Sequence, residues 1–344
     1  MIPRKKTLKT GDLCFEKNKN QPSWVLKWFE YCDILNRVST KNRRSIMKLA
    51  TTTGDYSAYT GDQAVALRHI RAAGFSYADY NFGTDRSLRN GVYSDGYEKY
   101  YEYIAKTAED IGIKLIQAHA PMSKPFLDDK MLIDDTLRCV DACGVWGIPN
   151  LVVHSGYVKG LTKDETFALN KQFFTPLLER AEKCGVNILV ENFNRMKPDG
   201  PYWIDNAPDL LEMVEYIDHP NFHAVWDVGH ANMQDMPQDE ALRLLGGHVK
   251  ALHIQDNMGE RDSHLAPFLG TLNLDSVMCG LADIGYDSYF TFEVGKFFTF
   301  ADERREYAKS TLLAAPPIEL RDAFERYLYL LGKCVLEKYG CFEE

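Results

Sequence analysis

Short apolar runs alternate with amphipathic stretches along most of the chain, beginning at Ile46. The apolar runs are rich in β-branched residues and end at turn-prone residues, and the stretches between them have apolar positions at helical spacing. This pattern predicts eight strands, at residues 46–53, 75–82, 113–120, 150–155, 186–192, 222–228, 249–256 and 288–294. It predicts helices at about 61–73, 94–111, 127–146, 163–184, 206–218, 237–246, 272–284 and 302–313. Eight strand–helix repeats are the number at which a parallel sheet closes, so we expect a (β/α)8 TIM barrel, an α/β fold, over residues 46–315.

Glycines mark the ends of the predicted helices. Five of them lie directly before a predicted strand, at Gly74, Gly112, Gly147, Gly185 and Gly285. A glycine at this position ends a helix because it adopts the left-handed backbone conformation without strain. The glycines therefore support the strand–helix repeat.

The two ends of the chain lie outside the repeat. Residues 1–45 are basic, and aromatic residues recur at helical spacing within residues 23–38, so this extension is expected to be a docked helix or disordered. Alternatively, translation begins at Met47, directly before the first strand. Residues 316–344 predict an amphipathic helix from about Glu319 to Tyr339 that packs on the barrel or on a partner subunit, which leaves a homo-oligomer open.

The charge distribution argues against nucleic acid as the substrate. The net charge is −9, but residues 1–48 carry a balance of +8, which leaves −17 for the rest of the chain. A strongly acidic barrel repels a phosphate backbone. The sequence contains no apolar run long enough to span a membrane and no secretory signal. The eight cysteines show no framework spacing, which is typical of reduced thiols in a cytoplasmic protein.

Four potential metal ligands lie at the C-terminal ends of predicted strands. Glu191, Asp227, His253 and Glu293 are separated by 36, 26 and 40 residues, and each interval is close to one strand plus one helix. They would therefore come from successive strands and converge on the C-terminal rim of the barrel. Carboxylates and an imidazole are ligands for a divalent metal, and we expect Mn²⁺, with Mg²⁺, Co²⁺ or Zn²⁺ as alternatives.

Further polar residues are expected at the same rim: His119, His154, Asn192, His230, Asp256, Arg261, Asp262 and His264. They belong to the ordered motifs HAP, HSG, EN, DxGH, HxxD and DxH, followed by Gly270 and the glutamate of the last strand. This ordered set resembles the sugar phosphate isomerase/epimerase family, which has the xylose isomerase-like TIM barrel fold. The resemblance extends from about Lys48 to Val294.

The resemblance implies a mechanism and a set of roles. Glu191, Asp227, His253 and Glu293 would bind the metal, and the two glutamates would also act as the acid/base pair on opposite faces of a small sugar substrate. The metal would stabilise an enediolate formed from a keto-sugar. Substrate binding is implied for His119, His154, Asn192, His230, Asp256, Arg261 and His264. Ketose 3-epimerases typically carry an arginine six residues after the histidine of the seventh strand. Here that position is Gly259, which weakens a free-ketose assignment.

The predicted function is thus a metal-dependent isomerase or epimerase of a sugar or keto-sugar derivative. One alternative is a different reaction that begins with the same deprotonation beside a ketone. C-glycoside-cleaving enzymes and the lyases and dehydratases of keto-inositols carry out such reactions. A second is a zinc phosphodiesterase similar to the AP endonucleases, because the nine ligand positions of that family are also filled here. The charge of the barrel argues against this second alternative. A third is a catalytically silent barrel that only binds.

Overall fold

A closed ring of parallel strands forms the centre of the protein. The computed structural model describes residues 45–122, 129, 131–194, 204–297 and 316–344. The strands are β1 (Lys48–Thr52), β2 (Tyr77–Asn81), β3 (Lys114–His119), β4 (Asn150–Val153), β5 (Asn187–Glu191), β6 (Phe222–Asp227), β7 (Val249–His253) and β8 (Tyr289–Phe292). Each strand pairs with its neighbours in sequence, and β1 pairs with β8. Backbone hydrogen bonds from Ile254 N to Thr291 O and from Glu293 N to Ile254 O close the ring between β7 and β8. The predicted TIM barrel is confirmed.

Helices cover the outside of this ring. In the described part of the chain they are α1 (Gln63–Ala73), α2 (Phe82–Leu88), α3 (Tyr97–Ile111), α4 (Leu132–Trp146), α5 (Lys163–Cys184), α6 (Ala207–Ile217), α7 (Val228–Asn232), α8 (Gln238–Leu245), α9 (Leu274–Ile284) and α10 (Ile318–Lys338). The predicted helix at 302–313 lies outside the described residues. The short helices α2 and α7 were not predicted, because each is too short to show an apolar periodicity. They begin at Asn81 and Asp227, whose side chains accept hydrogen bonds from Gly83 N and His230 N.

The helix ends follow the capping residues of the sequence. All five glycines predicted to end helices adopt a left-handed conformation at the C-caps of α1, α3, α4, α5 and α9. At the start of α5, Thr162 and Glu165 form a reciprocal capping box. These local signals explain why the observed helix boundaries lie within a few residues of the predicted ones.

Alternation along the strands divides their side chains between the inside of the ring and the helical layer. Val152, Leu189, Val225 and Ala251 form a separate buried cluster of apolar residues from β4, β5, β6 and β7. Because successive strand residues point to opposite faces, the residues two positions later point to the same side. Those residues are His154, Glu191, Asp227 and His253. The strands therefore place a layer of polar side chains directly above an apolar one, at the C-terminal rim.

Helix α10 follows the barrel repeat and packs against α1 and β1. Its Arg321 is fully buried and forms ion pairs with Asp55 and Glu325, and it donates a hydrogen bond to Val294 O. Val294 is adjacent to Glu293, so α10 holds the segment after β8 in place. The predicted N-terminal extension lies outside the described residues. No helix in the described ranges combines the length and apolarity needed to cross a membrane.

Candidate metal centre

The four predicted ligands converge at the rim. Ligand atoms of Glu191, Asp227, His253 and Glu293 all lie within 4.8 Å of one another. His253 Nδ1 is 3.0 Å from Glu191 Oε1 and 3.2 Å from Glu293 Oε2. The side chains of Glu191, Asp227 and His253 are buried, whereas that of Glu293 is 22% exposed. Three side chains of the quartet are thus enclosed by the protein, and only the fourth, Glu293, is accessible to solvent.

A second group of ligand atoms shares Glu191 with the quartet. His119 Nε2 and His154 Nε2 each lie 3.5 Å from Glu191 Oε2, and the two imidazole nitrogens are 3.1 Å apart. His119 also lies within 4.8 Å of ligand atoms of His253 and Glu293. The two histidines that the sequence assigned to substrate binding therefore sit beside the metal ligands.

A third group lies on the other side of Asp227. His230 Nε2 is 3.2 Å from Asp262 Oδ2, and His264 Nε2 is 3.2 Å from Asp262 Oδ1. Gln255 joins this group to the quartet, because its amide donates hydrogen bonds to Asp262 at 2.9 Å and to Asp227 at 3.3 Å. All three members have the residue types and spacing of metal ligands.

Two buried carboxylate oxygens of the quartet suit a bound cation. Glu191 Oε2 and Asp227 Oδ2 are buried and have no hydrogen-bond partner among the described residues. Burial of a carboxylate oxygen without a partner costs free energy unless a cation or a hydrogen bond compensates it. Oxygen and imidazole nitrogen donors suit Mn²⁺ and Zn²⁺, and carboxylates also suit Mg²⁺. The residues present therefore fit a divalent metal.

Strong electrostatic coupling accompanies this crowding. Burial alone lowers the pKa of His253, but the carboxylates of Glu293 and Glu191 outweigh burial and raise that pKa to about 10. The pKa of His264 is also raised to about 10, because its hydrogen bond to Asp262 outweighs burial. Burial opposes ionisation of Glu191, yet His253 and His154 hold its pKa well below the ordinary value. In contrast, burial lowers the pKa of His154 to about 3. The protonated imidazoles of His253 and His264 thus balance the charge of the carboxylates, and a bound cation would replace those protons.

Polar residues within the strands or just beyond them hold the candidate ligands by hydrogen bonds, and they were not among the predicted site residues. Gln117 Nε2 lies 2.8 Å from His253 Nε2 and donates to the carboxylate of Asp79 at 2.7 Å. Gln255 plays the corresponding role for Asp227. Gln117 interrupts the apolar part of β3, and that interruption was the available signal, whereas Gln255 follows β7 in a polar segment that gives no such signal. Supporting hydrogen bonds of this kind fix ligand orientation in metal sites.

Two predicted substrate-binding residues form hydrogen bonds with the backbone. The Asn192 side chain accepts from Asp227 N at 2.8 Å and donates to Asp227 O at 2.9 Å, and it is fully buried. The Asp256 carboxylate is also fully buried and accepts from the backbone N–H groups of Asn257, Gly270 and Leu272. The polar atoms of both side chains thus pair with backbone, and substrate binding by Asn192 and Asp256 stays a prediction. Arg261 is exposed in the loop after β7.

Comparison with known proteins places the chain in a family. The family model described as xylose isomerase-like TIM barrel matches residues 67–312. An uncharacterized protein of Methanocaldococcus jannaschii is 30% identical over 227 residues, which cover 63% of this chain and 76% of that protein. The fructoselysine 3-epimerase of Escherichia coli O157:H7 is 30% identical over 139 residues, which cover 40% of this chain and 48% of the epimerase.

Solved structures share the fold. A crystal structure of D-psicose 3-epimerase in the presence of D-fructose superposes with a TM-score of 0.64 at 18% identity, and covers 84% of this chain and 99% of the epimerase. The match to the fructoselysine 3-epimerase spans about half of that enzyme. The family model extends over most of the barrel, from α1 to beyond β8. The protein therefore belongs to the xylose isomerase-like TIM barrel family.

Proposed function

We propose that this protein is a metal-dependent isomerase or epimerase of a sugar or keto-sugar derivative. The observation that carries the proposal is the quartet of ligand atoms within 4.8 Å, two of whose carboxylates have a buried oxygen without a hydrogen-bond partner among the described residues. The sugar 3-epimerases among the relatives support the same chemistry. A divalent cation bound at the quartet would polarise the carbonyl group and stabilise the negative charge of an enediolate.

The two glutamates suit a proton transfer. Glu191 ends β5 and Glu293 follows β8, three strand positions apart around the ring, so their carboxylates approach a sugar at the rim from different sides. Glu293 is 22% exposed, whereas Glu191 is 1% exposed and lies among imidazoles. We therefore assign exchange of the proton with water to Glu293, and transfer on the enclosed side to Glu191. His230 and His154 would orient substrate oxygens beside them.

Solvent hydrogen exchange tests the proposal. The protein loaded with Mn²⁺ would be incubated in D₂O with keto-hexoses, keto-inositols and 3-oxo-glucosides, and deuterium incorporation followed by NMR. We expect exchange on at least one class, and its loss in Glu293→Gln. The matched control is Glu260→Gln, an exposed glutamate in the loop after β7. The same spectra separate an epimer, an isomer and an elimination product, and exchange with no substrate would reject the proposal.

The third ligand group supports a second candidate, hydrolysis of a phosphodiester with more than one zinc ion. His230, Asp262 and His264 offer ligand atoms within 4.8 Å of one another, next to the quartet. Multiple metal ions stabilise both the attacking and the leaving oxygen in phosphodiester cleavage. The net charge of −9 opposes binding of DNA. Nicking of abasic DNA by the zinc-loaded protein, without exchange on any sugar, would favour this candidate.

A further inference from the structure

An open cavity of about 720 Å³ lies at the C-terminal ends of β1, β2 and β3, on the rim that carries the candidate metal centre. Gly54 after β1, Asn81 at the end of β2 and Pro121 after β3 contribute to its lining. In the sheet, Asn81 pairs with His119, so the cavity begins one strand away from an imidazole of the metal centre. Neighbouring strands are about 5 Å apart, so the cavity and the metal centre occupy adjoining parts of the same rim.

The size of the cavity exceeds the need of a single sugar ring. Pockets that enclose drug-sized ligands have volumes of roughly 300–1,000 Å³. A hexose held by the quartet would lie over the ligand atoms of the rim, and the cavity provides space in addition to that position. The substrate therefore has room for a second unit on the side of β1 to β3.

The lining suits a neutral, polyhydroxylated group. Besides Arg86 and Arg89, the lining contains both hydroxyl-bearing and apolar side chains: Ser57, Thr84, Ser87, Leu88, Met122 and Met131. Hydroxyl groups both donate and accept hydrogen bonds, as sugar hydroxyls do. The apolar side chains offer surfaces for the C–H groups of a sugar ring.

The charges around the cavity are already balanced. Arg86 pairs with Asp129 and, at 2.7 Å, with Asp135. Arg89 Nη1 lies 3.0 Å from Asp135. Two guanidinium groups therefore face two carboxylates, and no net positive charge remains from these four groups to attract a phosphate or carboxylate. This balance favours an uncharged ligand.

We propose that the cavity is a subsite for a second, uncharged glycosyl unit, so that the substrate class is a glycosylated keto-sugar rather than a free keto-hexose. The inference rests on the proposed function for the reaction, but binding at the subsite can be measured without any turnover. The reacting ring would lie at the quartet, and the glycosyl unit would extend between the ends of β1 and β3.

Binding of unreactive sugar alcohols tests the subsite. Saturation-transfer NMR titrations of the Mn²⁺-loaded protein would compare maltitol, which carries a glycosyl unit, with sorbitol, which does not. We expect maltitol to bind at least about tenfold more tightly. Ser57→Trp, which fills the cavity from an exposed position, should remove that advantage and leave sorbitol binding unchanged. The matched control is Ala58→Trp, because Ala58 is exposed and adjacent in sequence but does not line the cavity.

The possible results separate the subsite from the reaction. Equal binding of the two alcohols, or a maltitol advantage that persists in Ser57→Trp, would overturn the subsite. A maltitol advantage lost only in Ser57→Trp, without deuterium exchange on any keto-sugar, would uphold the subsite and reject the epimerase function. Exchange on keto-hexoses with no preference for glycosylated substrates would do the reverse. Preferential binding of a sugar phosphate that is lost in Arg89→Leu would also overturn the neutral subsite.

Discussion

Replacement of Arg321 by methionine is expected to destabilise the barrel by about 3–4 kcal/mol at pH 7. The guanidinium is fully buried and pairs with two carboxylates, of which Glu325 is fully buried and Asp55 has a 3% exposed side chain. It also bonds to Val294 O at 3.0 Å. Methionine retains much of the packing volume, so the loss isolates the charge and the hydrogen bonds.

The magnitude follows from the carboxyl group that loses its partner. A buried carboxylate without compensation takes up a proton, and each unit between the pH and an ordinary pKa of about 4.3 costs about 1.4 kcal/mol. At pH 7 this limits the loss for one carboxylate to about 4 kcal/mol. Burial already raises the pKa of Asp55, with Arg321 opposing that rise, so the penalty is counted for one carboxylate only.

The sign of the pH dependence follows from the same proton. In Arg321→Met the folded-state pKa of the carboxyl lies above its unfolded value, so the folded state holds the extra proton and gains stability as the pH falls. The difference in unfolding free energy from the parent should therefore shrink by about 1.4 kcal/mol per pH unit between pH 7 and pH 5. It should level off near the unfolded pKa.

Urea unfolding followed by tryptophan fluorescence between pH 5 and pH 8 measures this difference. Arg326→Met is the matched control, because Arg326 lies on the same helix and is exposed, and its loss should cost less than about 1 kcal/mol. Arg321→Met combined with Glu325→Met should recover most of the stability. A loss below about 1 kcal/mol at pH 7, or one independent of pH, would show that these carboxylates are not desolvated.

Three further predictions concern the metal centre and its loops. Asn192→Ala removes both hydrogen bonds to the Asp227 backbone and should weaken Mn²⁺ binding by about 10–100-fold, measured by calorimetry, with Asn221→Ala at the opposite end of the barrel as the control. Unchanged affinity would contradict the positioning role. Because the pKa of His253 is raised to about 10, ligation must displace its proton, so Mn²⁺ affinity should rise about tenfold per pH unit from pH 6 to pH 9. Calorimetry in buffers of different ionisation enthalpy would count the proton, and no release would exclude His253 as a ligand. Gly270→Ala should destabilise the protein by about 1–3 kcal/mol, since its Cβ would lie 2.2 Å from Asn257 O and 2.3 Å from Asp256 Oδ1. A Cβ added at Gly96 would have no atom within 4 Å, so Gly96→Ala should be nearly neutral. Thermal unfolding of the two variants and the parent would measure both effects.

The sequence predicted the strands and the ligand positions for one reason. Strand ends such as Glu191 and Asp227 stand two residues beyond the apolar residues Leu189 and Val225, and a period of two is a local property of the backbone. The number of repeats then required closure of the sheet, and closure brings all C-terminal strand ends to one rim. These steps need no knowledge of distances.

The supporting residues were not predictable in the same way. Gln117 and Asp79 are 38 residues apart, and the contacts that Gln117 makes with Asp79 and His253 depend on the registers of β2, β3 and β7. Whether Asn192 faces a substrate or the backbone of Asp227 depends on a hydrogen bond between the ends of the neighbouring strands β5 and β6. The amino-acid sequence gives no local signal for this hydrogen bond.

The amino-acid sequence by itself determined the barrel, its strand ends and the residue types at the rim, because backbone periodicity and helix capping act over a few neighbouring residues. Only the tertiary structure decided that Glu191 is shared between two groups of candidate ligands, that Asp262 joins His230 to His264, and that a cavity opens at the ends of β1, β2 and β3. Those features depend on how the whole ring closes, because closure sets the distances between side chains that are far apart in the chain.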